Sequence, residues 1–135
     1  MEQIALGIFM VLHGLVHLLY LGQSARLFEL QPGMGWPDGS WASAKLIGNE
    51  ATRVVASVSL VLASMGYIGG GIGIFMRQIW WRPVIVGTAA FSAVLYILFW
   101  NGRRQNLANQ GGIGLIINLA ILVMLLVFGV PSTGL

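Results

Sequence analysis

The sequence predicts an all-α fold: a polytopic membrane bundle of four helices, with an interfacial loop between the first and the second. Four apolar runs, at about residues 3–22, 50–76, 82–100 and 111–130, each come close to or exceed the roughly 20 residues that cross a bilayer. Only 8% of the residues are charged and 57% are hydrophobic, where a soluble domain carries roughly 25% charge. The few charges lie mostly at the ends of the apolar runs, where they set topology and meet headgroups.

A mean hydropathy of +0.84 leaves no soluble reading, and 135 residues make one integral membrane domain, 1–135. The net charge of +3 is not gathered into a basic stripe with interleaved aromatics. Nucleic acid is therefore set aside as a partner, and the lipid bilayer is the expected one. The chain has no cysteine, which excludes a disulfide framework, a thiol redox pair and a thiolate metal site. MEQIALG carries an acid where a secretory leader carries Lys or Arg, and no cleavage site follows, so the first helix is expected to be retained.

The first span, about Gln3 to Gly22, contains His13 and His17 within Met10–Tyr20. Positions i and i+4 share one helix face, so both imidazoles point the same way, one turn apart. Ionisable groups at membrane depth face a bundle interior or a water-filled cavity. Gln23 to Asn49 then reads as a long polar connection that caps the bundle. Ser24 to Leu30 suits a short amphipathic turn on the membrane surface, Pro37-Asp38-Gly39 is a turn signal, and Trp36 and Trp41 read as headgroup anchors.

Asn49 suits the N-cap of the second span and Glu50 its first turn, with Arg53 placed to pair with Glu50 as an interfacial ion pair. The small residues of this span, including Gly66, Gly69, Gly70 and Gly73, have the spacing that lets membrane helices approach closely, and the Gly-rich end is also a candidate bend. Pro83 fits the first turn of the third span. Trp80 and Trp81 mark one boundary of that span, Phe99 and Trp100 the other. The fourth span opens at Gly111 and is expected to stop at Pro131. Connections of roughly six and ten residues favour antiparallel neighbours in an up-down bundle.

Arg26, Lys45, Arg53, Arg103 and Arg104 fall on one side and Arg77 and Arg82 on the other. That bias places the long loop in the cytoplasm and both termini outside the cell membrane. At 1.5 Å per residue, His17 and His13 lie roughly 7 and 14 Å from the end of the first span, and Ser57 about 10 Å into the second. Tyr96 is roughly 6 Å from the matching end of the third, and Asn118 about 10 Å into the fourth. One polar group from each helix thus reaches a similar depth, and His13, His17, Ser57, Tyr96 and Asn118 are the candidate ligand or cofactor residues.

Three readings of this group stand side by side. The side chains hydrogen-bond across helices; or His13 and His17 ligate a metal or haem iron; or the cluster is a proton relay or a polar pocket for a quinone or lipid-like molecule. The functional expectation is a subunit or accessory factor of a membrane complex, with other membrane subunits or a second copy of the chain as partners. The alternatives are a redox or small-molecule-binding membrane protein using the His pair and, third, a small transporter.

The first span with Leu12-His13-Gly14, the interfacial segment after it, Glu50 opening the second span, and the small-residue run into Gly69–Gly73 together resemble the DoxX-like family. These are small four-helix bacterial and archaeal membrane proteins, named after a subunit of quinone-linked sulfur oxidation. The resemblance implies a membrane-embedded redox subunit or accessory protein more than a stand-alone catalyst.

Overall fold

The computed structural model of the chain describes residues 2–103 and 108–129. The apolar runs fold as α1 (Glu2–Ser24), α2 (Ala44–Phe75), α3 (Trp81–Leu98) and α4 (Ile113–Leu122). The last is extended at each end by a π-helical turn, Ala108–Gly112 and Val123–Val127. All four elements lie in segments long and apolar enough to cross a membrane, the fourth segment being Gln110–Val127. The chain is an all-α, multi-pass integral membrane protein, as its composition predicts. The expected end of the fourth span at Val130, the stop at Pro131 and the charge of Arg104 lie outside the described residues.

Each helix packs on its neighbour in the chain, α1 on α2, α2 on α3 and α3 on α4. The α1–α2 seam is antiparallel: Gly7 lies against Phe75 and Gly71, Gly14 against Ser64 and Tyr67, and Ser24 against Arg53 and Ser57. A Cβ at Gly71 would sit 2.9 Å from the carbonyl oxygen of Gly7, so glycine is what lets the two backbones meet. On the other side of α2, Gly66 and Gly70 receive Thr88 and Ile85 of α3. The Gly-rich end is therefore a packing surface rather than a bend. The break in α2 falls instead at Gly48, whose φ of 83° and ψ of 167° interrupt the helix.

Two apolar clusters fill the interior. One joins Met10, Tyr67, Ile74, Trp81, Ile85 and Leu125, and the other joins Trp36, Ala56, Leu60, Leu95, Tyr96 and Phe99. Leu12, Val54, Ile116 and Leu126 are among the apolar side chains exposed on the outside, where they face lipid. Phe99, expected at the boundary of the third span, is buried in the second cluster, and two expected tryptophan anchors are corrected with it. Trp36 and Trp81 are fully buried, because each supplies a large apolar body to a core cluster, whereas Trp41 and Trp80 stay exposed.

The long loop does cap the bundle, held by residues whose roles differ from those expected. Gln23 belongs to the end of α1 and is fully buried. Its Nε2 donates to the carbonyls of Met34 (2.9 Å) and Trp36 (3.3 Å), and its Oε1 accepts from the Leu30 amide (2.8 Å). Such a side chain satisfies backbone groups that burial would otherwise strand. The turn after Ser24 leaves Leu27 and Phe28 exposed, with the Phe28 ring folded over Gly22. Asn49 follows the break at Gly48, but its side chain does not cap the helix that resumes there. Its Oδ1 reaches back to accept the Gly39 amide at 3.0 Å.

Arg53 turns to the loop and away from Glu50, donating through Nε to Asp38 Oδ1 at 2.7 Å. Arg26 meets the same carboxylate at 2.8 Å while donating to the carbonyls of Trp36 and Gly35. The interfacial ion pair of α2 is thus Arg53–Asp38, with Glu50 acting on Arg53 only at longer range. Desolvation pushes the Asp38 carboxyl up, but the Arg53 hydrogen bond and the two guanidinium charges outweigh it and hold the group below its usual range. A carboxyl lowered in the folded state stabilises the fold above its unfolded pKa and loses that contribution as pH falls through the folded value. Acidification below about pH 4 should therefore lower the melting temperature of the wild type more than that of Asp38→Asn, measured side by side in one detergent. Equal losses would remove Asp38 from the account of the cap.

Candidate functional site

The two histidines of α1 face inward and are buried, His17 completely. Around them the bundle brings one polar side chain from every other helix: Tyr67 of α2, Ser92 of α3 and Asn118 of α4, all buried. His13 Nε2 lies 2.9 Å from Asn118 Oδ1, and the Tyr67 hydroxyl donates to the same oxygen. Asn118 Nδ2 donates to Ser92 Oγ at 2.8 Å, and Ser92 Oγ lies 2.6 Å from His17 Nε2. His17 Nδ1 lies 2.8 Å from the carbonyl oxygen of His13, one turn back on the same helix.

The proton positions follow from these partners. A carbonyl only accepts, so His17 Nδ1 carries a proton and donates it to His13 O. With one proton on the ring, His17 Nε2 then accepts from the Ser92 hydroxyl, whose oxygen accepts from Asn118 in turn. Asn118 Oδ1 takes two donors, Tyr67 O–H and His13 Nε2–H. The chain of donors closes with one proton on each imidazole, in a layer where water is scarce and unpaired polar groups are costly.

Of the residues expected from sequence, His13, His17 and Asn118 meet here. Ser57 does not. It lies beside Ser24 (Oγ–Oγ 2.9 Å), whose hydroxyl donates to Arg53 O, at the level where α1 ends. The reason is overhang: even beyond the break at Gly48, α2 runs on to Phe75 and projects past the end of α1, so counting from about residue 50 places Ser57 too deep. Glu50 lies higher still and is exposed.

Tyr96 sits next to the network without joining it. Its ring centroid is 5.6 Å from that of His17, and Tyr20 meets it edge-on at 5.3 Å and Trp36 tilted at 6.5 Å. The ring lies across Gly111 and Gly114, with its Cζ end against Gly114, the glycine nearer Asn118. The hydroxyl is buried and has no hydrogen-bond partner among the described residues.

Tyr67 and Ser92 were missed. A tyrosine side chain on a helix points back toward the N-terminus and covers more than a turn, so its hydroxyl acts at a depth other than that of its Cα. Ser92 is one of many small residues in an apolar helix. Its position four residues before Tyr96, on the same face, was the available signal.

The donor set does not suit a metal. No group of three or more His, Cys, Asp or Glu side chains forms among the described residues. The Nε2 atoms of the two rings address Asn118 and Ser92, and the rings meet edge-on at 4.9 Å, so they do not converge on one point. An apolar crevice of about 610 Å³ runs between α1 and α4 past Phe9, Ile117 and Met124. Phe9 stacks on His13 at 6.0 Å and covers the network from that side.

Comparison with known proteins finds no matching family model, no matching curated protein and no matching solved structure. The chemistry of the site therefore rests on its geometry.

Asn118 is the node, joined to three side chains, and its loss should be the most costly in the network. Polar contacts between membrane helices contribute about 0.6 kcal/mol on average and at most about 2. Asn118→Ala, which removes three such contacts, should then destabilise the protein by about 2 kcal/mol, and Tyr67→Phe by about 0.6 kcal/mol. Reversible unfolding in mixed micelles measures both, and equal effects of the two substitutions would contradict a node at Asn118.

Proposed function

We propose that this chain is an accessory subunit of a membrane complex, and that its His-containing network is a clamp holding four helices in one arrangement. The observation that carries the reading is the continuous set of hydrogen bonds joining His13, His17, Tyr67, Ser92 and Asn118 across all four helices. A general base must offer a lone pair to a substrate; that of His17 Nε2 is taken by Ser92, and that of His13 is on Nδ1, on a ring covered by Phe9. What the fold offers outward is apolar helix surface, which meets lipid or other membrane helices. The resemblance to the DoxX-like family supports the same role, since it too points to a small four-helix subunit.

A second reading rests on Tyr96. Its ring packs beside His17, and its buried hydroxyl, without a partner among the described residues, is a place where a small molecule's polar atom would be satisfied. That favours a binding protein in which Tyr96 and Asn118 line the site for a quinone or similar compound.

One experiment separates the two. The protein, gently solubilised from its own membranes, is analysed for absorption, bound metal and co-extracted small molecules, as wild type and as His13→Ala with His17→Ala. The clamp reading predicts a blank spectrum, a particle larger than the 14.5 kDa chain with a fixed second component, and a double variant that melts earlier. A chromophore or organic ligand in near-stoichiometric amount, lost in the double variant, would overturn it in favour of the second reading.

A further inference from the structure

At the membrane boundary, where α1 ends beside α2, a lipid-facing crevice of about 480 Å³ is lined by Arg26, Glu50, Arg53, Val54, Ser57 and Val58. Its upper and lower parts differ in character. The upper part is charged. Arg26 and Arg53 share the single carboxylate of Asp38, which leaves one positive charge over. Arg53 commits Nε and Nη2 to Asp38 and leaves Nη1 uncommitted. Glu50, one turn before Arg53 on α2, forms no ion pair within 4 Å among the described residues and is exposed. The lower part is apolar. Val54 and Val58, 64% and 56% exposed, continue the stripe of Glu50 down α2 at i+4 and i+8. From Glu50 to Val58 is eight residues, roughly 12 Å along the helix axis.

This is a surface with one spare positive charge, one spare negative charge beside it, and an apolar track leading into the bilayer. We propose that it binds a phospholipid with a phosphate and a primary ammonium in its headgroup, of the phosphatidylethanolamine type. The phosphate meets the Arg53 and Arg26 side, the ammonium donates to the Glu50 carboxylate, and an acyl chain lies along Val54 and Val58. Charge complementarity selects this occupant. An anionic lipid without an amine would leave Glu50 unmatched and add repulsion to it. A choline headgroup carries positive charge but no N–H to donate. The inference uses neither His13 nor His17 and stands apart from the role proposed above.

The test is native mass spectrometry of the full-length protein ejected from vesicles made of equal parts phosphatidylethanolamine, phosphatidylcholine and phosphatidylglycerol. The expected result is one retained lipid per chain, with phosphatidylethanolamine enriched about tenfold over phosphatidylcholine, the scale of one charge-assisted hydrogen bond. Glu50→Gln, an exposed substitution, should erase that preference while the melting curve of the delipidated protein stays unchanged. A second series needs no variant: stepwise N-methylation of the ethanolamine headgroup should lower retention, with the largest drop at the last methyl. Equal retention of all three lipids, a preference for phosphatidylglycerol, or a phosphatidylethanolamine preference that survives Glu50→Gln would each overturn the proposal.

Discussion

Water is scarce at the depth of His17, and that scarcity governs the architecture. A polar side chain there must find its partner in the protein. Asn118 answers the requirement for three helices at once: its oxygen serves His13 and Tyr67, and its amide nitrogen serves Ser92, which passes the chain on to His17. Because each helix contributes to one closed set, none can rotate about its axis without stranding a donor or an acceptor. In an apolar environment van der Waals packing alone discriminates weakly between rotations. The network supplies that discrimination.

Close approach of the helices makes the network possible. Gly14 lies against the Ser64–Tyr67 turn of α2, and Gly71 lies against Gly7 and Val11, so α1 and α2 come near enough for Tyr67 to meet both imidazoles. On the far side, Gly111 and Gly114 accept the ring of Tyr96. Above the polar layer, Tyr20, Trp36 and Tyr96 form an aromatic lid, and Gln23, Arg26, Asp38 and Arg53 tie the loop that carries Trp36 to the ends of α1 and α2. The buried network and the cap are thus consecutive layers of one bundle.

The four crossings, the inward-facing histidines and the involvement of Asn118 were legible in the sequence, because each depends on composition or on helical period. What was not legible depends on partners distant in sequence. Trp36 reads as an interfacial anchor until Ala56, Leu60 and Leu95 are seen to enclose it. Arg53 has an acid three residues before it, yet Asp38 wins, because the loop delivers a carboxylate that takes two hydrogen bonds at once. Tyr67 takes the place expected of Ser57 because α2, even counted from its break at Gly48, exceeds one bilayer crossing and its start does not mark a depth. Side-chain reach, helix overhang and loop-to-helix pairing are tertiary quantities that spacing along one helix does not encode.

The most direct measurement of the central claim is ¹⁵N NMR of the protein labelled at histidine and reconstituted in lipid. Its two imidazoles should be resolvable by comparison with His13→Ala. The closed network requires the His17 proton on Nδ1, donated to the His13 carbonyl, and the His13 proton on Nε2, donated to Asn118. Asn118→Ala should disturb the His13 signal first. A His17 ring protonated on Nε2, or a His13 ring indifferent to Asn118→Ala, would contradict the chain of donors on which this description of the bundle rests.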